Sequence, residues 1–436
     1  MPNLEYLRII TEIEALGIMP DRPPGIQTTR DALELVLPSS CWRPDQTVVV
    51  AGTNGKGSVC ATLETLFLAA GETVGLYTSP HLESTTERIR INGVQLTEDQ
   101  FCQVYREVQA RISEVKLTHF EILTVMAAWT FFSGTLFPRV DRAIFEVGLG
   151  GKWDATNAIP HHHCIITQLG YDHQNLLGNT LTEIASNKFG IIQKGATVVH
   201  SPLPDEVAAL AGQVQQETAS TWLQSIPFTD RVEQQTREPQ FFISTQWGEG
   251  QLALAGRRGA ENTATALTYF NEAGYNPTLF LSKLKDVNWK GRMEKWTGTI
   301  SPCPIYFSGD HNPQGVKSLL RLLPHYKRKH LYIIVGIGKE KDRDQIIAPL
   351  FDLSDTSIFL TETPFKGRPL RDYDHWMNLA RGAHAEPLVA LKEVFKLACS
   401  EDLILITGSL YLVGHLHKLL NDGSIAAMDR PNQLCH

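Results

Sequence analysis

The sequence predicts an α/β protein in two parts. The first is a P-loop domain on a doubly wound, mostly parallel sheet, and the second is a smaller Rossmann-like C-terminal α/β domain. Three observations carry this. A β-branched run meets a glycine turn and then a helical pattern, "VVVAGTNGKGSV" leading into "ATLETLFLAA". Short apolar runs alternate with helical patterns over much of the chain, as successive βαβ units require. Finally, 436 residues are long for one hydrophobic core, so two domains are the default.

Taken in order, Val48 to Val50 read as the end of a buried strand and Ala61 to Ala70 as a helix. "TVGLYTSPHL" reads as a second strand ending at Ser79-Pro80-His81. A helix is expected at about Glu121–Phe132, and "RAIFEVGLGG" and "HCIITQLG" read as two further buried strands. Residues near 217–250 carry more Gln, Thr and Ser, with alternating runs such as "QFFIS" and "QLALAG". They are expected to form antiparallel strands at the edge of the sheet. The pattern restarts at "PIYFSGDHNP", with strands at "LYIIVGIG", "SIFLT" and "LILITG". The expected domains are 1–293 and 294–436, with Lys290 to Thr297 as a hinge. No internal repeat or low-complexity tract is evident.

Composition narrows the function class. Charged residues at 20% and hydrophobic residues at 42% describe an ordinary soluble globule. The net charge of -7, without a basic block, argues against nucleic acid as a partner. Seven cysteines, Cys41, Cys60, Cys102, Cys164, Cys303, Cys399 and Cys435, lie scattered with no C-x-x-C pair. That pattern argues for reduced thiols and against a structural zinc site. The N-terminus has no basic segment followed by an apolar core, and the run "ILTVMAAWTFF" is too short to span a bilayer. A cytoplasmic protein without a membrane partner is expected.

The turn after the first strand carries the chemistry. Gly52, Gly55 and Gly57 let the backbone curl so that several N–H groups face one anion, and the next helix adds its positive end. Lys56 can reach outer phosphates and Ser58 a magnesium ion. The spacing is G-x-x-G-K-G-S rather than G-x-x-x-x-G-K-[ST]. The competing reading is a glycine-rich turn with a solvated lysine, but strand, turn and helix stand in the order phosphate binding requires. Ligands of open α/β sheets gather beyond the carboxyl ends of the strands. There stand Ser79, Glu146, Asp172 and His173, whose hydroxyl, carboxylate and imidazole suit a divalent ion beside ATP. Alternatively, Glu146 is a buried paired carboxylate and His173 a helix cap. "HHH" at 161–163 reads as a solvated loop, and "VGIGKEKD" lacks G-x-G-x-x-G and reads as a strand–loop.

The runs "AGTNGKGSV", "TSPHL…ERIRING", "FEVGLGG-x-x-DATN", "DH-x-x-x-LG-x-TL-x-EIA-x-x-K-x-GII" and "GSLYLVG" resemble the folylpolyglutamate synthase/dihydrofolate synthase family of the Mur ligase superfamily. The motifs follow the family's order from about residue 48 to 414. The resemblance implies ATP-dependent joining of a pteroate or folate carboxylate to the amino group of L-glutamate, with Mg2+ and also K+ as cations and a monomer as the default state. It implies phosphate contacts from Thr53, Asn54, Gly55, Lys56, Gly57 and Ser58, and magnesium ligands Ser79, Glu146 and His173. A carboxylated lysine matches Lys188, and pterin-side contacts match Phe120, Glu121 and Asp154. The adenine asparagine matches Asn262, and an arginine that reaches the phosphates matches Arg292. A Lys-Asp pair of the second domain matches Lys341-Asp342.

The match has departures. Where the family reads D-G-A-H-N-P, this chain has Ser308-Gly309-Asp310-His311-Asn312-Pro313. A glutamate before the modified lysine is Asn187, and a His-Gln pair before the adenine asparagine is Arg258-Gly259. Asp310 replaces the lost carboxylate if residues 308 and 310 share one strand face. His311 is expected to contact the transferring phosphate or glutamate, or else to act as a loop cap. Without the resemblance, Lys188 reads as a lysine salt-bridged on a helix. The chemistry suits the residue types, since an inert carboxylate must be phosphorylated before an amine displaces oxygen from it. Lys56, Arg292 and magnesium would neutralise the phosphates. Two rivals stand beside folate ligation: ligation of a different acid and amino acid, and nucleotide binding without catalysis.

Overall fold

The computed structural model describes residues 3–17, 24–234, 236–365 and 367–423. Its chain gathers into two compact units, one of residues 1–229, 243–253 and 259–287, the other of residues 230–242, 254–258 and 288–436. Cys435 lies outside the described residues, and the other six cysteines form no disulfide.

The first unit is built on eight strands: β1 (Thr47–Ala51), β2 (Val74–Tyr77), β3 (Ile89–Ile91), β4 (Val94–Gln95), β5 (Arg142–Glu146), β6 (His163–Ile166), β7 (Thr197–His200) and β8 (Thr221–Gln224). Their order is β4-β3-β2-β5-β1-β6-β7-β8. From β2 to β8 every pairing is parallel, while β3 and β4 add an antiparallel edge. All five residues of β1 are buried, as expected of a strand covered on both faces. The helices are α1 (Leu4–Ala15), α2 (Gln27–Val36), α3 (Lys56–Ala69), α4 (Glu98–Ile112), α5 (His119–Phe132), α6 (Gln174–Leu177), α7 (Leu181–Phe189) and α8 (Ala208–Thr218). Most of α9 (Gly256–Glu272) also lies in this unit. Helix α5 is buried nearly all round, and its Phe131 and Phe132 pack on Phe145 of β5 with ring centroids 5.5 and 6.4 Å apart. These aromatic contacts anchor the strand that carries Glu146.

Two expectations need correction. The strands after β8, namely β9 (Thr229–Glu233), β10 (Gln240–Thr245) and β11 (Gly248–Leu252), form a separate three-stranded sheet and not the edge of the large one. The edge is β8, which runs parallel to β7. The "HHH" run is also no solvated loop. His161 is fully buried, with Nε2 2.9 Å from the carbonyl oxygen of Ile191, and His163 opens β6.

The second unit holds a sheet of β12 (Arg292–Lys295), β13 (Ile305–Ser308), β14 (Leu331–Val335), β15 (Thr356–Thr361), β16 (Gly382–His384) and β17 (Leu403–Thr407). The order is β12-β13-β17-β14-β15-β16, parallel except at β12. Part of the segment expected as a hinge is therefore a hydrogen-bonded strand. Helix α10 (Pro313–Leu322) follows β13. Among the described residues no helix is long and apolar enough to cross a membrane.

Candidate active site

The turn after β1 is shaped by two close approaches. Gly52 and Gly55 have positive φ, and a Cβ at Gly52 would overlap Oγ1 of Thr167 while one at Gly55 would overlap Oδ1 of Asn262. Oγ1 of Thr167 donates to the carbonyl of Asn54 at 2.8 Å, and Thr53 N donates to Gln168 O at 2.9 Å. The loop is thus stitched to the chain beyond β6. Nζ of Lys56 folds back to donate to the carbonyls of Gly52 at 3.2 Å and Thr53 at 3.4 Å. Ser58 is buried in the first turn of α3, the positive end of that helix. Sequence reasoning found the glycines but missed Thr167, which no local motif marks.

Because β5 lies between β2 and β1, Glu146 stands between the Ser79 turn and the phosphate loop. Its Oε2 accepts from Ser79 N at 3.0 Å. Burial pushes the Cys60 thiol in α3 well up; Glu146 adds to the rise and Lys56 opposes it, so carboxylate and loop lysine act on one residue. The site fits magnesium by its donor chemistry. A hydroxyl and a carboxylate beside a phosphate loop offer hard oxygens, with phosphate and water oxygens to complete an octahedron. Among the described residues no three His, Cys, Asp or Glu side chains gather to hold a metal by themselves. His173 takes a left-handed backbone before α6 without capping it through its side chain, and its ring nitrogen lies 3.9 Å from Asp172.

Lys188 is not a salt-bridged surface lysine. It is buried near the end of α7 and its Nζ donates to Gly52 O at 2.9 Å. Burial, helped by the charge of Lys56, pushes its ammonium down to about 7, with Asp172 and Asp154 opposing. Asn187 turns elsewhere, donating to the carbonyls of Leu177 and Glu183 at 3.0 and 3.2 Å.

The residues matched to the acid substrate are tied to backbone. Glu121 closes a capping box at the start of α5, its Oε2 accepting from Thr118 N at 2.8 Å, and its Oε1 accepts from Thr29 at 3.2 Å. The "THFE" spacing is the sequence signal for that box. Buried Asp154 accepts from the backbone N–H groups of Gly148, Leu149 and Thr156, each at 3.0 Å. Burial pushes its carboxyl up against the pull of those bonds. The Phe120 ring packs on Gly148 and lies 5.8 Å from Tyr77.

In the second unit, β13 ends at Ser308, so Asp310 lies in a loop and the shared strand face does not exist. The two side chains meet nevertheless, with Ser308 Oγ donating to Asp310 at 2.6 Å. Arg258 clasps the same buried carboxylate at 2.6 and 3.1 Å. Arg292 pairs with Ser308 across β12 and β13. Burial alone would raise the Asp310 carboxyl, but Arg258 first and then Arg292 hold it below its ordinary range. The departures at 258, 308 and 310 are therefore one network. His311 Nδ1 lies 2.9 Å from Gly309 O, and the cap of α10 is Asn312, which accepts from Gly315 N.

Two predictions follow from this geometry. Gly55→Ala adds a Cβ against Asn262 in a backbone region that penalises it by about 1–2 kcal/mol, and calorimetric titration should show ADP affinity falling at least about tenfold with the far-ultraviolet spectrum unchanged. Arg258→Ala removes the cation that clasps buried Asp310 and leaves only the more weakly acting Arg292, which should destabilise the fold by about 3 kcal/mol in denaturant titrations. Because Asp310 is held low, the wild-type advantage is present above the ordinary carboxylate range and is lost as pH falls through the depressed value.

Residues 291–410 match the Mur ligase, glutamate ligase domain. The chain is 32% identical to the dihydrofolate synthase/folylpolyglutamate synthase of Buchnera aphidicola subsp. Baizongia pistaciae over 85% of its own length and 86% of the relative's. It is 31% identical to the folylpolyglutamate synthase of Lacticaseibacillus casei, over 86% and 90%. The fold matches the Mycobacterium tuberculosis folylpolyglutamate synthase complexed with ADP at a TM-score of 0.84, with 24% identity and 96% and 98% coverage. The apo form of the L. casei enzyme matches at 0.79 with 26% identity, over 95% and 99%. With a phosphate loop, a strand-end carboxylate beside it and a relative this similar along most of both chains, the protein belongs to the folylpolyglutamate synthase/dihydrofolate synthase family of the Mur ligase superfamily.

Proposed function

We propose that this chain is an ATP-dependent ligase that joins L-glutamate to dihydropteroate, to reduced folates, or to both, through an acyl phosphate. The observation that carries the reading is the phosphate loop with Lys56 and Lys188 on its carbonyls and the Ser79–Glu146 pair one strand away. Relatives named for this reaction along most of the chain's length support it. Residues 1–293 are assigned to nucleotide binding and 294–436 to the glutamate ligase domain, in a monomeric cytoplasmic enzyme requiring ATP, Mg2+ and K+.

In the proposed reaction a carboxylate oxygen of the acid attacks the γ-phosphorus of ATP, and the bond to the bridging oxygen breaks to release ADP. The glutamate amine, having lost a proton, then attacks the acyl carbon, and phosphate departs with the former carboxylate oxygen. Lys56 lies on the loop where it meets the outer phosphates, and the backbone N–H groups at Gly55–Ser58 orient them. Thr53, Asn54 and Gly57 complete the cradle, and Asn262, against Gly55, is assigned to adenine. Arg292 is assigned to phosphate, Asp310 to positioning the nucleotide, and His311 to the transferring phosphate or glutamate. Ser79, Glu146 and His173 would hold magnesium, which supplies charge neutralisation when bound. Phe120, Glu121 and Asp154 shape the acid site.

Lys188 is assigned as a carboxylated lysine. Carbon dioxide reacts with a neutral amine, and a buried lysine poised at about 7 is mostly neutral at pH 8. With 13C-bicarbonate, a carbamate resonance should appear in the wild type, strengthen from pH 6 to pH 8 and be missing in Lys188→Met, whose turnover should fall by about 10²-fold. A resonance independent of Lys188 would refute the assignment.

The activity itself is tested by ADP release from Mg-ATP and L-glutamate. Release that requires dihydropteroate establishes the first ligation, and release that requires tetrahydrofolate establishes chain extension. Nucleotide binding without stimulation by either acid would transfer the loop to another acid or to binding alone.

A further inference from the structure

The motif "TSPHL…ERIRING" supplies Ser79 to the site but leaves His81 and Arg88 without a role. Arg88 ends a short 3-10 turn, Thr85–Arg88, and is 7% exposed. Its Nε donates to His81 Nδ1 at 3.0 Å. The adjacent carboxylate of Glu87 is committed to the backbone N–H groups of Leu82, Glu83 and Ser84 at 2.8, 2.9 and 2.9 Å, so it does not serve Arg88. Among the described residues no carboxylate pairs with Arg88. The neighbouring arginines of the same unit differ, since Arg90 holds Glu64 and Arg142 holds Glu72.

The groups around the Arg88 guanidinium are imidazoles and a phenol, and the Asp154 carboxylate acts on that phenol, Tyr77. His81 uses Nδ1 as the acceptor of the Arg88 bond. His119 also lies within the field of the guanidinium, and burial first, then Arg88, pushes it down to about 4. The hydroxyl of Tyr77 is also within the field of Arg88, and the Tyr77 ring lies 5.8 Å from Phe120. His119 directly precedes Phe120 at the start of α5. A buried guanidinium bonded only to the neutral groups His81 and Tyr77, with no paired acid and an aromatic wall beside it, keeps N–H groups for a planar anion, which takes two parallel N–H bonds from such a fork.

We propose that Arg88 is the anion receptor of the acid site and binds the carboxylate that is to be activated. The inference rests on the ligase reading above and gives its acid site the cation that reading lacked. Two anions, the carboxylate and the triphosphate, must approach within bonding distance. A guanidinium on the carboxylate removes their repulsion and fixes the attacking oxygen, while Lys56 does the same for the phosphates. His81 is a positioning residue, holding the Nε edge so that the remaining N–H groups face the ligand.

The test compares binding of dihydropteroate with binding of its carboxamide analogue, by titration calorimetry with the full chain and Mg-ADP. Wild-type protein should prefer the acid by at least tenfold, Arg88→Ala should erase the preference, and Arg88→Lys should restore part of it. In steady-state kinetics Arg88→Ala should raise the KM for the acid at least tenfold and leave the KM for ATP within twofold. A preference unchanged in Arg88→Ala, or equal rises in both KM values, overturns the role of Arg88 while the ligase reading stands. Wild-type protein that binds neither dihydropteroate nor tetrahydrofolate overturns the folate reading, and this inference with it.

Discussion

The carbonyl oxygen of Gly52 accepts from two lysines, Lys56 at 3.2 Å and Lys188 at 2.9 Å, and the candidate active site is arranged around that point. Two cations converging on one acceptor repel each other, which is part of why the Lys188 ammonium is held near neutrality. The arrangement is tolerable because the loop is locked from outside. Thr167 fills the space a side chain at 52 would need, and Asn262 does so at 55. A larger residue at either place would push the loop away, and both lysines would lose their shared carbonyl. An anion bound here would offset that repulsion, and a polyphosphate carries the charge to do so.

The same imbalance distinguishes function from structure elsewhere in the first unit. Burying a charge without a partner is expensive, and the half-buried Arg90 and Arg142 avoid it by holding a carboxylate. Lys188 and Arg88 do not. One stands at the phosphate loop and the other beside the residues matched to the acid. Burial relieves Lys188 by pushing its ammonium down to about 7, whereas Arg88 keeps a positive charge that an anionic substrate would bring into balance. Asp310 in the second unit is the opposite case, a buried carboxylate with Arg258 and Arg292 around it and a hydroxyl from Ser308. Its charge is already answered within its own unit.

How much of this was legible in the sequence depended on distance along the chain. The strand, turn and helix at Thr47–Ala69 could be read because glycines, lysine and β-branched residues are consecutive. The capping box at Thr118–Glu121 is legible for the same reason. The Arg258–Asp310 pair spans 52 residues, and its members look like separate departures from the family pattern until the fold joins them. Thr167 and Arg88 escaped notice because their importance lies in what they touch or lack. His161 was misread since a run of three histidines looks hydrophilic, yet only the first is fully buried, with its ring nitrogens beside backbone carbonyls.

These features also bear on how one fold can keep a reaction while its sequence drifts. The family's carboxylate at position 308 is a serine here, but Ser308 donates to an aspartate two residues on, and Arg258 stands where the family pattern has a histidine. Moving a negative charge by two residues into a buried loop would by itself be strongly unfavourable. A new arginine on the facing element removes that penalty, so the substitutions make sense as a set and not singly. The phosphate loop, Ser79, Glu146 and Lys188 permit no such exchange. Lys188 is held by the loop carbonyl of Gly52 and Glu146 by the Ser79 N–H, so a charge displaced there would lose its backbone partner.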